Sequence, residues 1–530
     1  MATAGRIGAQ ELAPGAWNTR VDGAASPSRA AWLESWSPLR GIADLGRPPH
    51  RAPGSRGIDV PAPAVGAFLL AGAPGAISRD LSRGDSLRWG VIELTQTTES
   101  GEFRRPFDAG RSTLQQVTGI GWQPVGARGM AIGSFVVDQS RLDPSAFTSR
   151  VTPYSASPFV LADSVTPAME RAHARLEGAL GLRLGEWGVG LSAGVDARQD
   201  NSVESPVRRT ARQAIPAATI GLERTLFAGV RLGLFGRWTE QVETQQLNPS
   251  PGATTYYAVQ GIDRPVPYLL ANSALLTRIE RRATAYGATA SGRALGVDAT
   301  ATWERGQRAE DQFFAPFQAT RPTDRWRPSG QAARVGLQGK FSRRGQWQIV
   351  GSYDGLSGDA VRADLTGLAV QVDEHRTSAE VLLRWTGEGA GFLGFGGLTQ
   401  HRRTLLDFVA QSTARTERAT PFVGGEAIVR PKGWRIAIGT SAAFASGSGS
   451  LPPLASQVPS YARLVAPALS YELASVTAWS AWARTGRRIG GTMIDVTARF
   501  EQATPSSIDL ARAQPAGMRQ RFTLGVGARP

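Results

Sequence analysis

From about residue 88 onward, apolar and polar positions alternate with a period of two. In Trp187–Ala197 the odd positions are Trp187, Val189, Leu191, Ala193, Val195 and Ala197; the even ones are Gly188, Gly190, Ser192, Gly194 and Asp196. Ala228–Trp238 sets Val230, Leu232, Leu234 and Trp238 against Arg231, Gly233 and Arg237. Ala333–Phe341 sets Ala333, Val335, Leu337 and Phe341 against Arg334, Gln338 and Lys340, and Arg519–Ala528 repeats the pattern. Such alternation predicts strands with one face in apolar and one in polar surroundings. Runs of about 10 residues exceed the ~5–6 of an ordinary soluble strand and suit a strand tilted across a bilayer.

The connections fall into two sets. Short ones are read near Pro124–Ala127, Gly185–Glu186, Leu226–Phe227, Leu295, Arg343–Gln346, Gly387–Gly391, Pro431–Gly433 and Ala474–Ser475. Long ones are read near Arg141–Met169, Asp200–Gln213, Glu243–Thr277, Arg305–Gly330, Gly355–Thr377, Arg402–Arg418 and Ser446–Ser460. They alternate until Gly486–Gly490, which is short where a long one is due. Tight turns on one side and long loops on the other are the signature of a membrane barrel. The fold expected is all-β: a transmembrane antiparallel up-and-down β-barrel of about 18 strands, within a range of roughly 14–20. Trp187, Trp347 and Trp434 follow short turns, Trp385 precedes one, and Trp238 and Trp303 fall near the opposite strand ends. Two indole girdles fit two membrane interfaces, although hairpin packing also places aromatics there.

Residues 1–86 break the pattern. They are rich in Pro, Gly and Ala, with a helical candidate at Ser28–Ser37 and a Pro-rich linker at Arg47–Pro63. The domain division expected is a periplasmic or plug-like segment over 1–86 and a barrel over 87–530. Met1–Pro14 has no apolar signal core, so a barrel reading implies a misplaced start site. Val65–Ala76 (VGAFLLAGAPGA) has the look of a signal core but lies too deep, and reads better as a buried strand or plug segment. No apolar run reaches the ~18 residues of a spanning helix.

Composition narrows the chemistry. Hydrophobic residues make up 41% of the 530 and charged residues 19%, which excludes wholesale disorder. The absence of Cys excludes disulfides, thiolate chemistry and Cys-ligated metals. The net charge of +15 is carried almost wholly by dispersed arginines, Lys340 and Lys432 being the only lysines. A nucleic-acid binder gathers its charge into a patch, so no nucleic-acid partner is expected. On the polar strand faces stand Arg175, Arg183, Arg198, Arg231, Arg237, Arg334, Lys340 and Arg435, interleaved with Asp196 and Glu304. These are the candidate lumen charges. A net positive lumen would favour anionic solutes; a salt-bridged lumen would simply pack and stiffen the barrel.

Catalytic signatures are weak. The histidines are His50, His173, His375 and His401, and none has metal-ligand spacing. His173 falls on a polar strand face, as a lumen hydrogen-bonder; His375 and His401 lie in or beside long loops, where solvation is the ordinary fate. No GxSxG elbow or P-loop lysine occurs. No cofactor and no enzymatic activity are expected; an outer-membrane hydrolase with a Ser/His pair drawn from distant strands is the alternative of that class. The loops offer recognition surfaces, with Pro153, Tyr154, Pro158 and Phe159 in one and Tyr256, Tyr257, Pro265, Pro267 and Tyr268 in another.

Val91–Phe107 (VIELTQTTESGEFRRPF), Thr152–Ser164 (TPYSASPFVLADS) and Gly194–Asn201 (GVDARQDN) are similar in order and spacing to an uncharacterised outer-membrane β-barrel family known mainly from Bacteroidetes-type bacteria. The resemblance covers residues 88 to 275 well and the rest by pattern. It implies a barrel in the bacterial outer membrane and supplies no catalytic residues. Where the family has Asp-Pro-Arg near the third motif, this chain has Asp200-Asn201. The partners expected are outer-membrane lipid, lipopolysaccharide and the barrel-insertion machinery, with the chain a monomer. The roles expected are a channel or uptake porin for small solutes, a closed structural or binding barrel at the surface, or the hydrolase. A soluble multi-domain β-protein is the remaining alternative.

Overall fold

The computed structural model describes residues 89–529 apart from 105–107, 127, 144–158, 164–167, 204–208, 228–229, 249–254, 261–264, 270–274, 316–321, 323, 363–367, 388, 432, 453–464, 491 and 507–515. The N-terminal segment expected over 1–86, with its helical candidate and linker, therefore lies outside the described residues, as does His50.

The strands are β1 (Trp89–Gly101), β2 (Arg111–Val125), β3 (Gly129–Asp143), β4 (Phe159–Asp163), β5 (Met169–Leu184), β6 (Trp187–Ser202) and β7 (Arg209–Thr225). Then come β8 (Arg231–Leu247), β9 (Thr255–Gln260), β10 (Pro265–Leu269), β11 (Leu275–Ala294), β12 (Val297–Ala315), β13 (Asp324–Lys340) and β14 (Gly345–Arg362). The last are β15 (Leu368–Thr386), β16 (Ala390–Asp407), β17 (Ser412–Val429), β18 (Trp434–Ser450), β19 (Val476–Ile489), β20 (Thr492–Pro505) and β21 (Arg519–Arg529), with one helix, α1 (Ala466–Leu473), before β19. Eighteen of the strands form one sheet, each antiparallel to the next. It closes where β21 pairs with β1 from Arg519↔Gly101 to Ala528↔Ile92. The expected barrel and its strand number hold. The short β4, β9 and β10 form a separate sheet that ties the β3–β5 connection to the β8–β11 connection.

All but one of the tight turns among the described residues share one side. At the β11–β12 turn, Leu295 and Gly296 both have positive φ (51° and 79°), the geometry of a two-residue hairpin. Several connections read as long loops are shortened because the strands run into them, as at Asp200–Gln213, Arg305–Gly330 and Gly355–Thr377, and two differ in kind. Ala474–Ser475 is not a hairpin turn: it joins the end of α1 to β19, inside a long connection. The short β19–β20 turn, with Gly490 at φ 56°, then falls on the side of the β11–β12 turn. Conversely, Arg402–Arg418 is no loop, because β16 and β17 run on to Asp407 and Ser412. There the carboxylate of Asp407 accepts bonds from the amides of Val409 and Ala410 at 3.0 and 2.9 Å, closing a tight turn.

The strands are also longer than expected. β11 has 20 residues and β18 has 17. On the outward face of β18, Trp434, Ile436, Ile438, Thr440, Ala442 and Phe444 are followed by Ser446 and Ser448. From Trp434 to Phe444 is about 34 Å along the strand at ~3.4 Å per residue. Tilted by ~40°, that spans about 26 Å, the height of a lipid-facing band. Trp187, Trp385 and Trp434, all exposed, mark its turn-side edge. Trp238, Tyr286 and Trp303, also exposed, mark the other, and they sit mid-strand, not at strand ends. Beyond them the outward faces turn polar, with Glu240, Arg282, Glu280, Arg278 and Asp311 in exposed ion pairs. The upper part of the wall thus stands clear of the bilayer.

This band is open to test. Ile438, 63% exposed, lies near its middle. Ile438→Arg is expected to destabilise the barrel in phospholipid vesicles by ~2–4 kcal/mol, the cost of a guanidinium near the midplane. Ser446→Arg, on the same face beyond Phe444, should fall within about 0.5 kcal/mol of the parent. Equal costs in urea titrations would displace the membrane from this height.

Candidate functional site

The inward face is charged and densely paired. Of the candidate lumen residues, Arg175, Arg183, Arg198, Arg231, Arg237, Arg334, Arg435, Asp196 and Glu304 stand on inward positions of their strands. Lys340 is exposed at the end of β13, beside the turn. Arg183 also reaches that rim, its Nε donating to the Gly185 carbonyl at 3.2 Å. Arg237 pairs with Glu304 at 3.1 Å across the intervening β11, Arg175 with Glu177 at 2.7 Å, and Arg198 with Asp196 at 3.3 Å. Arg171 grips Asp200 through two bonds of 2.8 and 2.7 Å. The same Glu310 takes Arg281 at 2.6 Å and Arg308 at 2.8 Å. Carboxylates therefore stand among the inward arginines, and the face is not a uniformly positive ring.

The histidines sort by strand face. His173 is inward, its Nδ1 2.6 Å from Asp138 and its Nε2 3.3 Å from Asp196. His401 is a correction: it is not a solvated loop residue but a buried, inward residue of β16, 2.8 Å from Glu374. The extension of the strands beyond the bilayer places it there. His375 faces outward on β15, with the Tyr353 hydroxyl at 3.0 Å. Among the described residues no cluster of His, Asp and Glu could hold a metal ion.

Sequence reasoning missed a helix on the inner face of the upper wall. α1 is short and begins with Pro467 just inside its first turn, where a missing N–H costs nothing. It packs on the inside of the wall. Ala466 and Leu469 join inward residues Trp326, Leu356, Val370, Val372 and Leu405 in one apolar cluster. Tyr471 joins Leu382, Phe395, Phe422 and Trp482 in another. Phe103, from the β1–β2 connection, stacks on Tyr471 with ring centroids 4.7 Å apart and is itself fully buried. Three wall residues hold the helix end. Arg418 donates to the carbonyls of Tyr471 at 3.0 Å and Glu472 at 3.5 Å, satisfying acceptors that a helix terminus leaves open. The buried carboxylate of Glu472 accepts from Thr416 at 2.6 Å and pairs with Arg403 at 3.4 Å.

Lower down, large rings lie flat on the inner wall. Gly439 on β18 is the register partner of Trp482 on β19. A Cβ at Gly439 would fall within the indole, so glycine leaves the space the ring occupies. Trp482 Nε1 then donates to Glu426 at 2.8 Å, and the Arg499 guanidinium lies 6.0 Å from the ring centroid. Near the loop-side end of β13, Trp326 has the Arg308 guanidinium 5.1 Å from its ring centroid. A ring pressed between wall and guanidinium narrows the passage.

Residues 83–529 match a family of unknown function, DUF6850. The chain belongs to that family. The match covers the whole barrel wall described above, and the family is consistent with the uncharacterised outer-membrane barrels that the sequence motifs resemble. No curated protein matches in sequence. Among solved structures, this DUF6850 barrel is similar to the FrpB iron transporter from Neisseria meningitidis (F5-1 variant), with 10% identity, 86% of this chain and 84% of that one covered, and a TM-score of 0.40. It is also similar to BauA, the ferric preacinetobactin receptor from Acinetobacter baumannii, with 9% identity, 84% and 80% covered, and a TM-score of 0.37.

Proposed function

We propose that this protein is an outer-membrane barrel whose lumen is stoppered at rest, so that it works as a surface binding or structural barrel, with any passage of solute requiring α1 to move. The observation that carries this is α1 itself, buried inside the wall and held by Arg403, Thr416 and Arg418. An empty barrel of this strand number would enclose an aqueous channel. Here Trp326 and Leu473 are at most 3% exposed, and the inward arginines meet carboxylates, which weakens the case for an anion-selective pore. The tied connections of the β4–β9–β10 sheet supply the candidate recognition surface at the loop side.

The test is conductance of the full chain, exported behind a working signal peptide and recovered from outer membranes. The unboiled protein should migrate faster than the boiled one, and planar bilayers containing it should stay silent. A steady conductance whose selectivity reverses in Arg231→Glu would replace this reading with that of an open channel. Recovery as a soluble protein with no shift on boiling would end both.

A further inference from the structure

The outward face just above the lipid band carries a patch that the stopper does not use. On β11 and β12, Tyr286 and Trp303 meet edge to face, with ring centroids 6.0 Å apart, at the upper rim of the band. Level with Tyr286 lies Arg305, and above lie Gln307, Thr284 and Arg282, all exposed. Register places Arg305 opposite Tyr286, Gln307 opposite Thr284, and Arg282 opposite Ala309. The two guanidinium-bearing positions are thus offset by about 14 Å along the strands, at ~3.4 Å per residue, with an amide and a hydroxyl between them. Arg282 is 69% exposed on its side chain, and its ion pairs are long, 3.4 Å to Glu240 and 4.0 Å to Glu280. Exposed pairs of that kind hold a side chain weakly.

We propose that this patch binds the phosphorylated disaccharide head of lipid A, the membrane anchor of lipopolysaccharide. This rests on the reading of the loop side as the cell surface, which puts the patch at the outer leaflet. Lipid A presents a phosphate at each end of a sugar pair above apolar acyl chains. Here two arginines flank polar side chains above an aromatic floor. Guanidinium groups meet phosphate oxygens with paired, charge-assisted bonds. The rings beneath suit the boundary between headgroup and acyl chain. Glu280 lies two residues farther from the rings than Arg282, and Glu240 stands level with Arg282 on β8, on the opposite flank from β12 and Trp303.

The experiment measures lipopolysaccharide retained by the full chain extracted from outer membranes in mild detergent. Arg282→Gln/Arg305→Gln is expected to retain about tenfold less than the parent, with the heat shift on gels intact. Arg282→Lys/Arg305→Lys should recover part of it, and Arg325→Gln/Arg327→Gln, higher on the wall, should retain as much as the parent. Should the glutamine pair not fold, rebinding decides. The parent, stripped of lipid, should prefer lipid A over its dephosphorylated form by about tenfold, and phosphatidylglycerol vesicles or inorganic phosphate should compete poorly. Equal binding of the two lipid A forms, or equal retention by parent and a folded glutamine pair, overturns the proposal. Loss of the heat shift in the parent would instead overturn the membrane reading beneath it.

Discussion

Arg418→Ala combined with Glu472→Ala is expected to convert a silent barrel into a conducting one. The two residues account for the bonds that fix the end of α1 to the wall: Arg418 to the carbonyls of Tyr471 and Glu472, and the Glu472 carboxylate to Thr416 and Arg403. Hydrogen bonds to charged groups contribute ~1.5–3 kcal/mol each, and losing two or more of them weakens docking by ~3–6 kcal/mol. That shifts the balance of docked and free helix by about 10²–10⁴. The wall should survive, because the β17–β18 ladder does not depend on these side chains. The variant should keep its heat shift on gels while planar bilayers record openings absent from the parent. A variant that folds and stays silent would show that something other than α1 stops the lumen. Glu472→Gln, which keeps an acceptor for Thr416, should open less often than the double variant.

The second large effect concerns packing. Gly439→Ala is expected to lower stability by ~3–5 kcal/mol. Displacing the Trp482 ring costs ~1–3 kcal/mol of overpacking, and the bond from Nε1 to Glu426 goes with it. The decisive comparison is a double-mutant cycle. In a Trp482→Ala background the same Gly439→Ala change should cost less than about 1 kcal/mol, giving a coupling of at least ~2 kcal/mol. Urea titrations of the barrel in vesicles measure all four corners. Additive costs would mean that the indole does not lie where it is placed, and that Gly439 serves the backbone alone.

The wall of the barrel was largely legible in the sequence, and its contents were not. Period-two alternation is strong where one face meets lipid, as in Trp434–Phe444. Above the band both faces are polar: β11 carries Arg282, Glu280 and Arg278 outward and Arg281 inward. With no contrast between faces the alternation vanishes, and strand reads as loop. For that reason Asp200–Gln213 and Arg402–Arg418 looked like long loops, His401 looked solvated, and Trp238 and Trp303 seemed to stand at strand ends. The inward arginines followed from parity alone once the strands were placed. Their carboxylate partners did not, because Arg237 reaches Glu304 across a whole strand. The eight-residue α1 gave no periodic signal, since Ala-Pro-Ala-Leu at its start belongs equally to a loop. What could have marked it is the acidic Glu472 beside Tyr471 in an otherwise apolar run leading into β19.

The seam between β21 and β1 has a consequence for how the molecule comes into being. Glu99 near the start of the wall binds Arg519 at 2.5 Å and Arg521 at 2.8 Å near its end, and Thr97 meets Thr523 at 3.0 Å. The contacts that join the cylinder therefore link residues more than 400 positions apart. Until the final strand is made, β1 and β20 each present an unsatisfied edge, the kind of surface that pairs with strangers. Closure of the cylinder therefore waits until β21 has been made, and the wall before that is an open sheet.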